Sequence, residues 1–334
     1  LGNLAAAVTV SKRFETGTAT LDEVRAAGRE PVYRYHPERA YGPLSDRRYR
    51  PEGIEIITSD PDRRFRCAVF DHDGTISTLR EGWERVMEPM MVEAVLGGHP
   101  CGPEQLDRIT KRVREYIDTT TGIQTITQMT GLVDLIRELG FVDESEILSP
   151  AEYKEIYNDA LLEMVHARRD RVSRGELSVE DVTVKGAVGF LERLVEEGLT
   201  LYLASGTDQA DVEEEATLLG YRSLFDGRIY GAVGAVEHEP KRVALRRILD
   251  DSGTISAVVT FGDGPVEMRE TVAGGGYAVG IASDEVRRYG LNEHKRRRLI
   301  LAGADLITPD FSRAEALSEA ASATSCPDSD TACT

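Results

Sequence analysis

Residues 66–75 read Arg-Cys-Ala-Val-Phe-Asp-His-Asp-Gly-Thr. The apolar run from Cys67 to Phe70 predicts a short buried strand. Two carboxylates, Asp71 and Asp73, follow this strand directly. Ligands of open α/β folds bind at the carboxyl edge of the sheet, so the strand end is a candidate chemical site.

The two carboxylates of this stretch need a counter-charge. Because side chains alternate along an extended chain, Asp71 and Asp73 can point the same way, and His72 is expected to point away and to pack or support. Gly74 then lets the backbone turn sharply. Two carboxylates this close repel each other unless a cation lies between them or one of them binds a proton. A hard divalent ion with oxygen ligands, Mg²⁺ above all, meets that need.

The composition argues against a nucleic-acid-binding protein, a disulfide-rich protein and a membrane-spanning protein. The chain has 334 residues, 41% of them hydrophobic, and a formal net charge of -18. This charge argues against general nucleic-acid binding. The four cysteines show no metal-binding spacing, which favours a reducing compartment over a disulfide framework. No apolar run approaches the length of a membrane span and no signal peptide is visible, so a cytoplasmic protein is expected.

After the first strand, the sequence has two different periodicities. Helical spacing predicts four helices without an intervening strand, at about 82–97, 103–118, 124–139 and 150–172. From Gly186 onward, helices and strands alternate as in a parallel doubly wound sheet. The strands predicted there lie at 199–204, 257–261, 277–282 and 305–307, and the helices include 208–219 and 241–250. The fold class is therefore α/β, with an all-helical insertion.

Three later elements carry candidate site residues. Ser205 and Gly206 follow an apolar strand, and the next helix would present free N–H groups to an anion. Lys241 begins a helix, where the helix dipole disfavours a cation unless carboxylates or a phosphate face it. Asp263 and Glu267 follow another strand and, four residues apart, share one face of a helix start.

These four elements, in this order, resemble the signature motifs of the haloacid dehalogenase-like (HAD) phosphohydrolase superfamily. The Asp-x-Asp-Gly-Thr of residues 71–75 is similar to motif I, Ser205 to motif II, Lys241 to the motif III lysine, and Gly262-Asp263-x-x-x-Glu267 to motif IV. The resemblance covers about residues 65–318. It implies a Rossmann-like core with a helical C1 cap inserted between motifs I and II.

The resemblance also implies a role for each motif residue. Asp71 would be the nucleophile, and Asp73 the general acid that protonates the leaving oxygen and then the base that activates water. Mg²⁺ would be held by the Asp71 carboxylate, the Asp73 carbonyl and Asp263, supported by Glu267. A further set would neutralise and bind the phosphoryl group: Ser205, Gly206 and Lys241. The presence of Asp73 disfavours a true dehalogenase, whose pattern lacks that second aspartate.

Other segments complete the expected organisation. Residues 65–80 and 182–318 would form the HAD core, 81–181 the cap, 29–64 a linker or arm, and 319–334 a disordered tail. The cap would hinge near 77–80 and 180–185. Residues 3–20 resemble the C-terminal end of a ribokinase-like (PfkB-type) sugar kinase, so 1–28 would be a remnant of, or junction to, such a domain. The Gly-Ala-Gly-Asp loop of that kinase is absent, so kinase activity is not predicted.

The function expected from these residues is a Mg²⁺-dependent phosphomonoester hydrolase for a small phosphorylated metabolite, with a sugar phosphate as one candidate. A phosphomutase of the same superfamily and a non-catalytic interaction module of a kinase fusion remain alternatives. Four residues near the cap entrance could contact substrate or could only pack: Arg80, Trp83, Gln124 and Thr125. The basic cluster 294–298 is interpreted as a solvated helix face.

Overall fold

The computed structural model describes residues 48–49, 53–58, 63–120, 123–233, 243, 247–248 and 257–322. Compactness divides the described chain into two units. Residues 82–167 belong to one unit, and residues 48–81 and 168–322, apart from the undescribed positions and 234–237, belong to the other. The kinase-like stretch within 1–28 and the predicted helix start at Lys241 lie outside the described residues.

The sheet unit contains eight strands within the described residues. They are β1 (Arg48–Tyr49), β2 (Glu55–Ile56), β3 (Cys67–Phe70), β4 (Thr200–Asp208), β5 (Ile229–Ala232), β6 (Val258–Gly262), β7 (Tyr277–Ile281) and β8 (Leu306–Thr308). Their order across the sheet is β1-β2-β8-β7-β6-β3-β4-β5. The strands from β8 to β5 run parallel, whereas β1 and β2 add antiparallel strands at the β8 edge. This confirms the predicted α/β class.

The helices lie close to their predicted positions. The first four are α1 (Glu84–Leu96), α2 (Pro103–Thr120), α3 (Thr125–Leu139) and α4 (Pro150–Ser173). The sheet unit contributes α5 (Ala187–Glu196), α6 (Gln209–Leu218), α7 (Pro265–Ala273), α8 (Glu293–Leu301) and α9 (Ala314–Ser322). Helix α9 continues into the segment predicted as a disordered tail, because Leu317 is buried in the sheet core. Among the described helices, none is long and apolar enough to cross a lipid bilayer.

The helical unit has a hydrophobic core of its own. On α1, Met87, Met91 and Val95 recur every fourth residue and are buried, which places them on one face of the helix. The same cluster includes residues of the other three helices, among them Val113, Met129, Leu132, Tyr157 and Leu161. Burial of these apolar faces stabilises helices whose isolated segments would be marginal in water.

Aromatic packing fixes the centre of the sheet beneath the site. Phe70 and Phe261 are register partners on β3 and β6, and their rings stack with centroids 4.6 Å apart. Phe190 of α5 packs edge-on against Phe261 at 5.3 Å. Such pairs contribute about 0.5–1.5 kcal/mol beyond the area they bury. The two strand ends that carry Asp71 and Asp263 are therefore held in register by a rigid apolar layer.

Two strands differ from the sequence expectation. β5 was not predicted, because its four residues include Gly231 and form too short a pattern to separate from a loop. β4 was expected to end at Ala204, but it continues to Asp208 with a register shift against β5 between those two residues. The irregularity lies between Ala204 and Asp208, a stretch that includes Ser205 and Gly206.

Candidate active site

The candidate site lies at the carboxyl edge of the parallel strands. Within the parallel part of the sheet, the chain starts at β3, continues to β4 and β5 on one side, and returns to β6 on the other, so the order reverses beside β3. Such a switch point is where open α/β sheets bind ligands. Asp71 directly follows β3, and its backbone N–H donates to the carbonyl of Phe261 at 2.9 Å. Asp263 directly follows β6.

Three carboxylates converge at this edge. Asp71, Asp263 and Glu267 each place a carboxylate oxygen within 4.8 Å of the others. Their exposed fractions are 6%, 8% and 2%, so little water screens their charges. Uncompensated negative charges in such a buried site are costly, and a hard divalent cation with oxygen ligands removes that cost.

Glycines make room for this acidic cluster. A Cβ on Gly74 would lie 2.3 Å from Oδ2 of Asp263, and the backbone of Gly74 has a φ of 72° that disfavours other residues. A Cβ on Gly262 would lie 2.3 Å from Cγ of Glu267. The close approach of backbone to carboxylates, together with three buried oxygen donors, fits a Mg²⁺ ion at this position.

Helix α7 positions Glu267. Pro265 takes the first position of the helix, where its missing N–H costs nothing. The backbone N–H of Gly264 donates to Oε1 of Glu267 at 3.2 Å. A carboxylate in the first turn is also stabilised by the helix dipole. Glu267 is thus held in the acidic cluster by the helix start itself.

A lysine from a distant helix reaches the same cluster. Nζ of Lys295 lies 2.6 Å from Oδ2 of Asp263 and also contacts Glu285. Lys295 is 7% exposed. Burial alone would lower the pKa of Lys295, but the two carboxylates raise it above its usual value. The ammonium is therefore a permanent positive charge beside one proposed metal ligand.

This observation corrects the interpretation of residues 294–298 as a solvated helix face. His294 and Arg297 are exposed, but Lys295 and Arg296 are buried. Arg296 is fully buried and forms a bidentate pair with Glu55 of β2, at 2.6 and 2.9 Å. The sequence does contain a signal: Lys295 and Arg296 precede the buried Leu299 and Ile300 by four residues each and share their helix face.

Asp73 has different surroundings from Asp71. Oδ2 of Asp73 accepts a hydrogen bond from the hydroxyl of Thr207 at 2.7 Å and lies 3.4 Å from Oγ of Ser205. Oδ1 lies 3.3 Å from Nδ1 of His72 and 3.4 Å from Nη1 of Arg80. Both carboxylate oxygens therefore have polar partners.

The charges around Asp73 control its protonation. Burial by itself raises the pKa of Asp73, but the positive charge of Arg80, the neighbouring imidazole of His72 and a hydrogen bond from Thr207 lower it well below the usual range. Asp73 is therefore held ionised in the protein without substrate. A carboxylate in this state is suited to accept a proton from water or, after phosphate binding, to exchange one with a leaving group.

Strand alternation predicts that His72 points away from both aspartates, but the structure places its ring beside Asp73. Its ring is fully buried and Nδ1 approaches Asp73, because β3 ends at Phe70 and the chain is no longer extended at this position. Nε2 of His72 lies 2.7 Å from the hydroxyl of Tyr221. The expectation of a supporting role for this histidine stays compatible with these contacts.

The remaining predicted site residues fall into three groups: some lie beside Asp73, one lies outside the described residues, and three belong to the helical unit. Ser205 is buried beside Asp73, with Gly206 next to it on β4, and their binding of phosphate stays a prediction. Lys241 lies outside the described residues. Arg80 is 6% exposed and contacts Asp73, Asp211 and Glu215. Three predicted substrate residues belong to the helical unit, where their contact with substrate also stays a prediction: Trp83, Gln124 and Thr125.

Glu215, a fully buried carboxylate in contact with Arg80, is not among the residues predicted from the sequence. It is the last of three consecutive glutamates on α6 and resembles part of an exposed acidic turn. Helical spacing offers the distinguishing signal, since Glu215 is three residues after the buried Val212 and four before the buried Leu219. A charged residue on an apolar helix face requires a buried partner.

Comparison with known proteins agrees with this architecture. A family model described as haloacid dehalogenase-like hydrolase matches residues 65–270. No curated protein matches the sequence. The fold is similar to a predicted phosphoglycolate phosphatase from Haemophilus somnus 129PT, with a TM-score of 0.51 and 17% identity over 76% of this chain and 98% of the other.

A second solved structure shares the fold. β-Phosphoglucomutase from Clostridium difficile has a TM-score of 0.50 and 13% identity, over 75% of this chain and 92% of the other. At these identities, the likeness concerns the fold alone. The family model spans more than half of the chain and includes the strand end with Asp71 and Asp73 as well as Asp263 and Glu267. The chain belongs to the haloacid dehalogenase-like hydrolase family.

Proposed function

We propose that the protein is a Mg²⁺-dependent phosphomonoester hydrolase that acts on a small phosphorylated metabolite through an aspartyl-phosphate intermediate. The observation that carries the proposal is that Asp71 and Asp73, at the end of β3, have different surroundings. Asp71 belongs to the acidic cluster with Asp263 and Glu267, whereas Asp73 lies beside two hydroxyl groups and the guanidinium of Arg80. Two carboxylates in different environments can take two chemical roles.

In the first half-reaction, a carboxylate oxygen of Asp71 attacks phosphorus. A new bond forms between that oxygen and phosphorus while the bond from phosphorus to the leaving oxygen breaks. Asp73, which takes up a proton when the negatively charged phosphate binds beside it, donates this proton to the leaving oxygen, which departs as an alcohol. In the second half-reaction, Asp73 takes a proton from water, the water oxygen attacks phosphorus, and Asp71 is released as a carboxylate.

Asp71, Asp263 and Glu267, with the backbone carbonyl of Asp73, would hold the Mg²⁺ ion. The ion would supply positive charge that balances the substrate phosphate and the acidic cluster. Ser205 and the backbone at Gly206 would bind phosphate oxygens, together with Lys241. The structural support is the position of Ser205 at the strand edge, 3.4 Å from the carboxylate of Asp73.

The helical unit is proposed as the cap that selects the substrate. The proposal is supported by the hydrophobic core of this unit, which is separate from the core of the sheet unit. Residues Trp83, Gln124 and Thr125 would contact the substrate from this unit. Enclosure of the reacting groups would exclude bulk water, which favours small metabolites over phosphoproteins. The acidic composition and cysteine spacing support a cytoplasmic enzyme without a nucleic-acid partner.

Phosphomutase activity is the second candidate function. The solved β-phosphoglucomutase shares the fold, and the proposed Asp71 and Asp73 chemistry would serve phosphoryl transfer to a second hydroxyl as well as to water. A non-catalytic module of a kinase fusion is a third reading, weakened by the acidic cluster assembled around Asp71. Isomerised product from a sugar bisphosphate would indicate a mutase.

The test is a screen for Mg²⁺-dependent phosphate release from sugar phosphates, phosphoglycolate and nucleotides. Asp71→Asn serves as the matched variant, since it preserves shape and removes the nucleophilic charge. We expect release by the natural protein and none by the variant, with incorporation of ³²P into the natural protein alone. Equal release by a folded Asp71→Asn variant would refute the covalent mechanism, and no release from any substrate would favour the non-catalytic module.

A further inference from the structure

Glu215 is a buried carboxylate without a part in the proposed reaction. It lies on α6, is fully buried, and occupies the helix face that also carries Val212 and Ala216. A carboxylate in such a position costs several kcal/mol unless it is paired. One of its oxygens, Oε2, contacts the guanidinium of Arg80, while Oε1 has no hydrogen-bond partner among the described residues.

Arg80 connects Glu215 with Asp73. The same nitrogen, Nη1, that contacts Oε2 of Glu215 lies 3.4 Å from Oδ1 of Asp73. The contact with Glu215 is the shorter of the two, so Glu215 holds the guanidinium and leaves Asp73 at a longer distance. Nη2 lies 3.9 Å from Asp211, which is 29% exposed at its side chain. Glu215 is therefore the nearest anionic partner of Arg80.

His72 forms a second connection between the same two carboxylates. Its Nδ1 lies 3.3 Å from Oδ1 of Asp73 and 3.8 Å from Oε2 of Glu215. Its Nε2 is held by the hydroxyl of Tyr221, which is also fully buried. Arg80 and His72 thus approach the same oxygen of Asp73 from a layer that Glu215 and Tyr221 fix in place.

We propose that Glu215 is a positioning residue for Asp73: through Arg80 and His72 it fixes the Asp73 carboxyl group in the orientation that delivers its proton to the leaving oxygen. The proposal rests on the proposed function. In the step concerned, the proton passes from Asp73 to the leaving oxygen as the phosphorus–oxygen bond breaks. Without Glu215, the guanidinium of Arg80 is no longer held in place, and the carboxyl group of Asp73 loses the contact that orients it.

A cation other than Arg80 is a poor occupant of this cluster. His72, Asp73 and Glu215 place potential ligand atoms within 4.8 Å of one another, which is a spacing compatible with a metal. The guanidinium of Arg80 already contacts two of these three residues and would repel a divalent ion. The cluster is therefore better suited to orienting Asp73 than to binding a second metal.

The experiment measures how the rate depends on the leaving group. A general acid matters little when the leaving group is a stable anion and much when it is a basic alkoxide. We would determine kcat/KM with p-nitrophenyl, phenyl and benzyl phosphate for the natural protein, Asp73→Asn and Glu215→Gln. For Glu215→Gln we expect a loss below about threefold with p-nitrophenyl phosphate and on the order of 100-fold with benzyl phosphate. Asp73→Asn should show the same selectivity.

The chain offers a matched control in Glu55→Gln. Glu55 is another buried glutamate paired with a buried arginine, Arg296, in the same unit but outside the Asp73 network. A purely structural effect of losing such a pair would change all three substrates by the same factor. We expect this variant to retain the natural dependence on the leaving group.

If Glu215→Gln fails to fold, the double variant Arg80→Met with Glu215→Met removes the pair without leaving a buried unpaired charge. It should show the same selective loss with benzyl phosphate, because Asp73 loses its Arg80 contact. An equal loss with all three substrates, or no loss, in the folded variant overturns the positioning role. Absence of Asp71-dependent release by the natural protein would instead overturn the proposed function, and this inference with it.

Discussion

The ammonium of Lys295 lies 2.6 Å from Oδ2 of Asp263, the same oxygen that approaches the backbone of Gly74. A proposed ligand of a divalent cation is thus paired with a cation of the protein itself. The ammonium of Lys295 reduces the repulsion between the carboxylates of Asp263 and Glu285, which lie beside Asp71 and Glu267. Lys295 and the proposed Mg²⁺ ion would therefore interact with the same carboxylate.

Replacement of Lys295 by methionine should have opposite effects with and without metal. Without Mg²⁺, Lys295→Met should lower the melting temperature, because the buried Asp263 and the half-buried Glu285 lose their positive partner. Titration calorimetry should show several-fold tighter Mg²⁺ binding, because a repelling charge is removed.

The matched control is Arg297→Met on the same helix, where the arginine is exposed and pairs with Glu293. It removes one positive charge from the same helix surface and should change both quantities little. Equal Mg²⁺ affinity in the natural protein and Lys295→Met would contradict a shared carboxylate.

Addition of one methyl group at Gly74 should weaken Mg²⁺ binding at the proposed metal site. In Gly74→Ala, the new Cβ would meet Oδ2 of Asp263 at 2.3 Å in a left-handed backbone region. The backbone strain alone costs about 1–2 kcal/mol. We expect a similar loss in urea denaturation and at least tenfold weaker Mg²⁺ binding. Gly198→Ala is the control, because its φ is 87° but its Cβ would meet nothing within 4 Å; it should lose stability and keep Mg²⁺ affinity.

Loss of the Glu55 and Arg296 pair should cost far more than loss of an exposed pair. Arg296 is fully buried, so Glu55→Gln leaves a charge with one fewer partner and should destabilise the protein by about 3 kcal/mol. The double variant Glu55→Met with Arg296→Met should recover much of this loss. Glu138→Gln, which removes an exposed partner of Arg112, should have little effect. Denaturant unfolding of all four proteins measures these differences.

The contribution of Asp73 to the free energy of unfolding should decrease as the pH is lowered. Because the pKa of Asp73 is lowered in the folded protein, its charge contributes stability above the unfolded pKa of about 3.9, and this contribution is lost as the pH falls toward the folded value. The difference in unfolding free energy between the natural protein and Asp73→Asn should therefore shrink from pH 5 to pH 2.5. Urea denaturation in Mg²⁺-free buffer measures this, and a difference that stays constant would argue against the pKa shift.

Local sequence patterns were sufficient for the elements that bury apolar faces. The strand Cys67–Phe70 and the helix repeats of residues 84–173 were predictable, because periodicity reports directly which side of an element meets the core. The acidic pair after β3 was equally visible, since its spacing is local. β5 was not, because four residues with a glycine do not form a readable pattern.

Partners distant in sequence could not be predicted in the same way. Arg80 and Glu215, or Lys295 and Asp263, meet only because the sheet brings their elements together. The orientation of His72 depended on where β3 ends, and a one-residue change in that position reverses which face a side chain takes. Ion pairs of this kind are decided by tertiary structure, whereas helical spacing reveals only that a buried charge needs some partner.

The pairing of β2 with β8 has a consequence for synthesis. Glu55 lies opposite Ile307 in the sheet, so β2 can pair with β8 only after a segment far downstream in the sequence has been made. β3 likewise gains its β6 neighbour only after the whole helical segment and β4 have emerged. Folding dominated by such distant pairings is slow and leaves strand edges exposed. The edges of β2 and β3 would therefore stay unpaired on a nascent chain until β8 and β6 have been made.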